Sequence, residues 1–364
     1  MNHRNRLLGW ALLLGVALSQ ESPAAFRKVL AELITSTTCA PCYAADVFYF
    51  ENWLPNYGGA DQVITLAYHV WWPSPGNDPI YLANPTPVQA RVSYYFPSTA
   101  YAPYLFVDGF VNAGSGYSSW PGAIEPRFLD PSPIAITLSG TRNGSTLNMT
   151  ASITAEQAVN SSTWRVHWAV VESGLSVPQN TGSGYVPFTH QFAHRGMYPD
   201  ANGTPITITQ GQTIDLQRTL TLQPAWIPGN CKVIVFVQNN TDKKVQNAEV
   251  IGVDMLTGAG EPSSGIPEAF TLEQNYPNPF NGETRIGYRI SPPRESGGRL
   301  EHEGWVTLKV YDMLGREVAT LVNELQEPGD HSTLFDASSL PSGVYLYRLQ
   351  AGTRQATKAM MLLR

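Results

Sequence analysis

The sequence is poor in charged residues, in cysteine and in long apolar segments. Asp, Glu, Lys and Arg make up only 14% of its 364 residues, the net charge is −6, and no long basic run occurs. Nucleic-acid binding depends on clustered Lys and Arg, so the composition argues against nucleic acid as a principal partner. Three cysteines are too few for a disulfide-rich scaffold.

Only the first residues contain a substantial apolar run. Arg4 and Arg6 precede Leu7 to Leu18, which is too short to span a bilayer comfortably. Ala17-Leu18-Ser19 provides the small residues of a signal-peptidase site. We interpret residues 1–19 as a cleaved signal peptide, with an uncleaved anchor as the alternative. We therefore expect an exported protein with no integral membrane span after cleavage.

Glycine and proline are abundant, with 31 and 28 residues. This composition is typical of β-rich modules with many turns. The chain is long enough for two or three domains, and a hydrophobic content of 43% is sufficient for their cores. The predicted fold class is multidomain, with one α/β domain followed by all-β domains.

Two of the cysteines lie between a predicted strand and a predicted helix. Val29 to Ile34 is an apolar run typical of a buried strand, and Tyr43 to Phe50 has the character of a helix. Cys39-Ala40-Pro41-Cys42 lies at the turn between them. A helix N-terminus favours a thiolate, and Pro41 suits the first helical turn. In an oxidising compartment, we expect the two sulfurs to form a disulfide.

A second motif follows some sixty residues later. Ala102-Pro103 precedes Leu105 to Val107, and Asp108-Gly109 then indicates a hairpin. The two motifs together resemble the active site of the thioredoxin-like fold. The resemblance implies that the Ala102–Pro103 bond is cis and that Pro103 faces the cysteine pair.

The same resemblance implies three catalytic residues, Cys39, Cys42 and Pro103. Cys39 would be the exposed nucleophile and Cys42 the buried resolving thiol. The sequence departs from thioredoxins at two positions, because Thr38 replaces a tryptophan and Leu33 replaces a buried acid. A structural disulfide on a fold used for binding is therefore the alternative.

Other chemistry-bearing residues have simpler interpretations. Cys39, Cys42 and His69 could together bind copper or zinc, but a histidine at a strand end is usually a polar terminus, so no metal and no cofactor is predicted. Trp71 and Trp72 follow the same strand, and we expect them to pack largely into the core. Cys231 is interpreted as a small buried apolar residue.

The pattern predicts a signal peptide and three domains. Residues 20–130 fit the thioredoxin-like domain, and residues 131–255 fit a β-sandwich because strands alternate around turns such as Arg142-Asn143-Gly144. Residues 256–265 are glycine-rich and polar, as in a flexible linker. Residues 266–364 form the last predicted domain.

The last domain carries the most specific motifs in the chain. They lie at Phe270 to Asn281, Val306 to Val318, Leu340 to Leu349 and Lys358 to Arg364. They closely resemble the type A C-terminal sorting domain of the type IX secretion system. The resemblance implies an immunoglobulin-like β-sandwich that delivers the protein across the outer membrane and binds the type IX machinery through residues 266–364.

The remaining chain, residues 24–256, resembles the Omp28-related outer membrane proteins, which join a thioredoxin-like domain to a β-sandwich. Thr35 to Cys39 and His190 to Met197 carry this resemblance. We therefore expect a protein at the cell surface or outer membrane, or an extracellular one. Its predicted function is thiol–disulfide oxidation or reduction, with protein thiols or disulfides as partners. The alternative is a non-catalytic surface module for binding or adhesion.

Overall fold

The computed structural model describes residues 25, 27–57, 62–98, 100–258, 270–290, 295–296, 299–300, 305–352 and 354–363. The predicted signal peptide and most of the predicted linker lie outside these residues. Strands predominate over helices in the described part, as expected for a β-rich multidomain chain. None of the helices described there is long and apolar enough to cross a bilayer.

The N-terminal elements alternate between strands and helices. The strands are β1 (Val29–Thr35), β2 (Val63–His69), β3 (Tyr104–Val107) and β4 (Val111–Gly114). The helices are α1 (Ala40–Asp46), α2 (Pro79–Leu82), α3 (Pro85–Tyr95) and α4 (Trp120–Ile124). Strand β1 lies parallel to β2 and antiparallel to β3. All seven residues of β1 are buried, since it lies at the middle of a sheet with a core on each face.

Two of these helices differ from the sequence prediction. Helix α1 begins at Ala40 and continues after Asp46 as π-helical turns over Val47–Trp53. The helix predicted over Ser119 to Leu129 is α-helical only in α4 and has 3₁₀ turns on both sides. Pro126 explains the second break, because a proline inside a helix removes a backbone hydrogen bond.

The next strands are divided between a second sheet, two short hairpin pairs and the large sheet that also contains β1 to β4. They are β5 (Ile134–Asn143), β6 (Thr146–Ala155), β7 (Trp164–Glu172), β8 (Leu175–Ser176), β9 (Gln179–Asn180), β10 (Tyr185–Val186), β11 (Thr189–His190), β12 (Ala193–Tyr198), β13 (Thr204–Pro205), β14 (Thr213–Thr221), β15 (Cys231–Asn239), β16 (Val245–Gly252) and β17 (Thr257–Gly258). Strands β14, β6, β5 and β17 form one sheet in that order.

One nine-stranded sheet joins these strands to the N-terminal ones. Its order is β16-β15-β7-β12-β2-β1-β3-β4, with β13 paired to β7. Strand β12 makes the junction, because it pairs with β7 on one side and with β2, at Ala193 and Ala67, on the other. The sheet thus crosses the boundary between residues 130 and 131, where the sequence suggests separate domains. That division stays a prediction.

The two faces of this sheet support different cores. On β7, Trp168 and Val170 pack towards the sheet β14-β6-β5-β17, which closes a sandwich. Ala169 and Val171 point to the other face, into the core that also contains Val88 and Val92 of α3. This alternation is the period of two expected of a strand.

A buried polar network ties the two halves of the sheet together. Arg91 of α3 donates to Glu32 on β1 at 2.7 Å and to Gln238 on β15 at 2.9 Å. Tyr68 and Tyr95 also donate to Glu32. Glu32 is fully buried, so its charge depends on Arg91 for compensation.

The described part of the C-terminal unit has two larger sheets and one short two-stranded sheet. Its strands are β18 (Thr271–Leu272), β19 (Glu283–Ile290), β20 (Glu295–Ser296), β21 (Arg299–Leu300), β22 (Trp305–Tyr311), β23 (Glu317–Leu325), β24 (Gly329–Asp336), β25 (Gly343–Ala351) and β26 (Arg354–Leu362). The sheets β18-β19-β24 and β23-β22-β25-β26 enclose one core, and β20-β21 is the short sheet. The unit contacts the rest of the chain, since Gln62 donates to the Thr357 carbonyl at 2.8 Å and Arg348 donates to the Tyr57 carbonyl at 3.0 Å.

Candidate functional site

Cys39 and Cys42 are joined by a disulfide at the start of α1, with their Cα atoms 5.3 Å apart. Cys39 is the N-cap residue and has extended backbone angles, while its sulfur accepts a hydrogen bond from the Cys42 amide at 3.3 Å. Pro41 follows in the first turn, where the helix needs no N–H. The local sequence therefore places the disulfide at the junction between β1 and α1.

Pro103 lies next to this disulfide. The Ala102–Pro103 peptide bond is cis, and the Ala102 carbonyl oxygen is 3.6 Å from the Cys39 sulfur. The pairing of β3 with β1 explains this position, because Tyr104 lies opposite Ile34 near the end of β1. The three predicted site residues are thus neighbours in space, and their catalytic roles stay a prediction.

A segment from the central part of the chain covers the cysteine loop. Strands β8 to β11 form two short hairpin pairs within Leu175–His190, which we call the cap. The Gln179 amide donates to the carbonyl oxygens of Ser36 and Cys39, both at 3.0 Å. Asn180 donates from its side chain to the Thr38 carbonyl at 3.0 Å. The cap is therefore fastened to the backbone of the loop that carries Cys39.

The cap and the neighbouring elements leave the sulfurs little access to solvent. Cys39 is 3% exposed and Cys42 is fully buried. The expectation of an exposed Cys39 is therefore wrong for this oxidised state. The cap lies about 140 residues further along the chain, at Gln179, so nothing near the motif in the sequence predicts this burial.

A buried acid lies one helical turn after Cys42. Asp46 is 1% exposed and accepts a hydrogen bond from the Thr35 hydroxyl at 2.9 Å. Its other oxygen, Oδ1, has no hydrogen-bond partner among the described residues. Burial raises the pKa of Asp46 to about 7, although the nearby charge of His69 and the Thr35 hydrogen bond oppose that rise.

A second buried acid, Asp78, contacts the loop that precedes Cys39. Asp78 accepts from the Thr37 amide at 2.7 Å and lies 2.9 Å from Nδ1 of His69. Burial alone would raise the pKa of Asp78, but the charge and hydrogen bond of His69, with two backbone hydrogen bonds, together lower it to about 2. Asp78 is therefore the fixed negative charge of this site.

His190 connects these acids to the cap. Its ring lies edge-on to His69 with the centroids 5.0 Å apart, and its Nε2 is 3.1 Å from the Val177 carbonyl oxygen. Burial, together with the nearby charge of His69, lowers the pKa of His190 to about 3. The ring is therefore neutral at pH 7.

The sequence analysis misses Asp46, Asp78 and the cap. Leu33, the position at which thioredoxins carry an acid, is buried and apolar. The signal for Asp46 was its spacing, since it follows Cys42 by four residues and therefore shares its helix face. Asp78 had no comparable signal in the sequence.

The remaining candidates lie away from the disulfide or have structural contacts. Cys231 is a buried free cysteine in the sandwich core, and burial raises its pKa to about 12. Tyr68 is fully buried, while Trp71 and Trp72 are half-buried against the same core. No group of three His, Cys, Asp or Glu side chains within the described ranges is placed to hold a metal ion.

A cavity of about 550 Å³ is found elsewhere. Arg195, Tyr198 and Trp226 are among its lining residues, and neither Cys39 nor Cys42 lines it. Arg195 also lies 3.1 Å from the Glu172 carboxylate. This cavity and the disulfide chemistry are therefore separate features of the molecule.

Comparisons with known proteins identify two parts of the chain. Residues 107–254 match the family model of outer membrane protein Omp28, and residues 274–362 match the secretion system C-terminal sorting domain. The chain thus carries an Omp28 domain and a type IX sorting domain. These domains indicate export to the cell surface or outer membrane, as the sequence predicted. The sorting domain also implies interaction with the type IX secretion machinery.

A solved structure with a TM-score above 0.5 shows a similar overall fold at low sequence identity. HBP35 of Porphyromonas gingivalis is 15% identical with a TM-score of 0.56, over 94% of this chain and 99% of that one. A domain of the outer membrane lipoprotein Omp28 from the same organism is 12% identical with a TM-score of 0.25, over 35% of this chain and 90% of that one. Among curated proteins no match was found.

Proposed function

We propose that this exported protein is a thiol–disulfide oxidoreductase that acts on protein thiols or disulfides through Cys39 and Cys42. The N-terminal unit is, in this proposal, a thioredoxin-like fold in which β1, α1, β2, α3, β3, β4 and α4 follow one another in that fold's order. The element order and the parallel pairing of β1 with β2 support it.

The observation that carries the proposal is the contact of the disulfide with the proline loop. Two cysteines at the start of a helix are common in stable domains, but here Cys39 also lies 3.6 Å from the carbonyl that precedes Pro103. That carbonyl belongs to an otherwise half-buried residue, Ala102, next to exposed Tyr101. An extended substrate could pair with the backbone at Ala102 once the Cys39 sulfur is uncovered.

The reaction would be an exchange of disulfides. In the reducing direction, the Cys39 thiolate attacks one sulfur of a substrate disulfide, and the other substrate sulfur leaves as a thiolate that takes up a proton. Cys42 then attacks the Cys39 sulfur, so the Cys39–Cys42 bond forms and the mixed disulfide breaks. Two electrons pass from the cysteine pair to the substrate, and the oxidising direction is the reverse.

The test is to trap the mixed disulfide with the full chain. Cys42→Ser removes the resolving thiol, so adducts should accumulate on Cys39 when the protein is exposed to a disulfide-bonded protein such as insulin. Cys39→Ser is the matched control and should form no adduct, since Cys42 is fully buried. Both are made in a Cys231→Ser background. Absence of Cys39 adducts and of insulin reduction by the wild type would overturn the proposal.

One observation favours a second candidate, a non-catalytic surface module for binding or adhesion. With Cys39 only 3% exposed, the disulfide resembles a structural crosslink. The double variant Cys39→Ser/Cys42→Ser separates the two functions, since a binding module would retain surface display and partner binding without the disulfide. An oxidoreductase would lose its activity in the same variant.

A further inference from the structure

The site contains one buried ionisable group that the exchange reaction, as written above, does not use. Asp46 lies on α1 four residues after Cys42. Residues four apart on a helix lie on the same face, with Cβ atoms about 5–6 Å apart. Helical side chains also tilt towards the N-terminus, so the Asp46 carboxyl lies over the turn that carries Cys42.

The two oxygens of the Asp46 carboxyl differ in their hydrogen bonding. Oδ2 accepts the hydrogen bond from Thr35 on β1. Oδ1 is buried and has no hydrogen-bond partner among the described residues. A buried polar atom without a partner is costly unless it has a role. Cys42 is fully buried as well, so its thiol cannot pass a proton directly to bulk water.

We propose that Asp46 is the proton acceptor for the Cys42 thiol, in place of the acid that Leu33 replaces. This inference rests on the proposed oxidoreductase function. In the resolution step, the Cys42 proton moves to Asp46 as the Cys42 sulfur attacks the Cys39 sulfur. The Cys39–Cys42 bond forms, the mixed disulfide breaks, and the substrate sulfur leaves as a thiolate that is protonated by water. Asp46 holds this proton and returns it to the Cys42 thiolate when the Cys39–Cys42 disulfide is next reduced.

The surroundings of Asp46 suit a group that changes its protonation state near neutral pH. Burial raises its pKa to about 7, while His69 on β2 and Thr35 on β1 act in the opposite direction and Asp78, before α2, adds to the rise. Proton transfer is most efficient when the acceptor has a pKa near the working pH. Asp46 meets this condition, whereas Asp78, with its pKa lowered to about 2, does not.

The first experiment measures the resolution rate against pH. The reduced full chain reacts with a small aromatic disulfide, which leaves one aromatic thiol bonded to Cys39 and releases the other. Release of the bound thiol by Cys42 is then followed from pH 5 to 9. In the wild type, the rate should fall below pH 7, because a protonated Asp46 accepts no proton. Asp46→Asn should lower the rate at pH 7.5 by about tenfold or more and remove this acidic limb. An unchanged profile in Asp46→Asn would overturn the proposal.

A milder variant covers the case in which Asp46→Asn fails to fold. Thr35→Val keeps the shape of the side chain but removes the hydrogen bond that stabilises the ionised carboxylate. The acidic limb should then move to higher pH. A purely structural role of Asp46 would lower all rates without moving that midpoint, so an unmoved midpoint contradicts the inference.

A second measurement does not depend on enzymatic activity. In Cys39→Ser, ultraviolet absorbance of the thiolate reports ionisation of Cys42. Adding Asp46→Asn should make Cys42 ionise at lower pH, since a neighbouring negative charge is removed. If the wild type shows no turnover, the proposed function is refuted. If the Cys42 titration is unchanged by Asp46→Asn, the role of Asp46 is refuted.

Discussion

The side-chain amide of Gln179 donates a 3.0 Å hydrogen bond to the carbonyl oxygen of Cys39, although 140 residues separate them in sequence. The same nitrogen donates to Ser36, and Gln179 is fully buried. One residue of the cap therefore holds both ends of the loop that precedes Cys42. The loop that carries Cys39 is thus held by a part of the chain that contributes none of the cysteine chemistry.

Removing this contact should expose the sulfur. Gln179→Ala removes two side-chain hydrogen bonds, each of which contributes about 0.5–1.5 kcal/mol, while the two carbonyl oxygens keep their backbone donors, the amides of Cys39 and Cys42. The loss should mainly favour local opening of the cap, so the rate of Cys39 alkylation in the reduced protein should rise roughly 5- to 30-fold, the factor that corresponds to one or two kcal/mol. Iodoacetamide labelling followed by mass spectrometry measures this rate.

Gln191→Ala is the matched control for that variant. Gln191 lies just outside the cap and is half-buried, and its side chain donates an exposed hydrogen bond of 3.4 Å to the Thr189 carbonyl. The rate of Cys39 alkylation in the Gln191→Ala variant should equal that of the wild type. Equal rates in Gln179→Ala and the wild type would show that the cap does not limit access.

Asp46 should make the protein less stable as the pH rises. Its pKa is raised from 3.8 to about 7 in the folded state by burial, so the folded state binds the proton more tightly than the unfolded state. The stabilising contribution of the protonated form is complete below pH 4 and is lost as the pH rises towards 7. Asp46→Asn should therefore be more stable than the wild type at pH 8, by a few kcal/mol, with a smaller difference at pH 4.

Urea unfolding of both proteins at each pH measures this difference. Only the change in the difference between pH 4 and pH 8 is diagnostic, because other groups titrate equally in both proteins. A difference that stays constant over that range would mean that Asp46 is ionised throughout.

Arg91 should stabilise the folded chain on both sides of the predicted domain boundary between residues 130 and 131. Arg91→Met leaves the Glu32 charge in the core without its cation, and breaking a buried pair costs about 3–5 kcal/mol. Because Arg91 also binds Gln238 on β15, residues 27–258 should still unfold in one transition, shifted to lower urea. Arg285→Met, at an exposed position on β19, is the control and should change stability by less than about 0.5 kcal/mol. Two separate transitions in the wild type would contradict the shared sheet.

Deleting residues 266–364 should retain the protein in the periplasm with the nine-stranded sheet folded. That sheet has its own cores, and the hydrogen bond that it would lose between Gln62 and Thr357 is not part of them. Cell fractionation, in a host with an intact type IX machine, gives the location, and circular dichroism gives the fold. Surface display of the truncated protein would contradict the sorting role of these residues.

Local sequence was enough to predict the parts of the site that depend on neighbours in the chain. The apolar run from Val29 to Ile34 predicts a buried strand, and Pro41 after Cys39 predicts the helix start, because both depend on backbone preferences within a few residues. The motifs of the sorting domain were confirmed by the match over residues 274–362. The Omp28 resemblance was confirmed by the match over residues 107–254.

The tertiary structure decided the environment of the cysteines. The pairing of Ala193 with Ala67 merges two groups of strands into one sheet, and this brings the cap over Cys39. The pKa of Asp46 likewise depends on residues distant in sequence, because the charge of His69 lowers it and the charge of Asp78 adds to the rise that burial causes. A sequence determines which residues can form a disulfide at a helix start. The burial of the cysteines and the access of solvent to the Cys39 sulfur depend on contacts between segments distant in sequence. Those contacts form only when the strands pair.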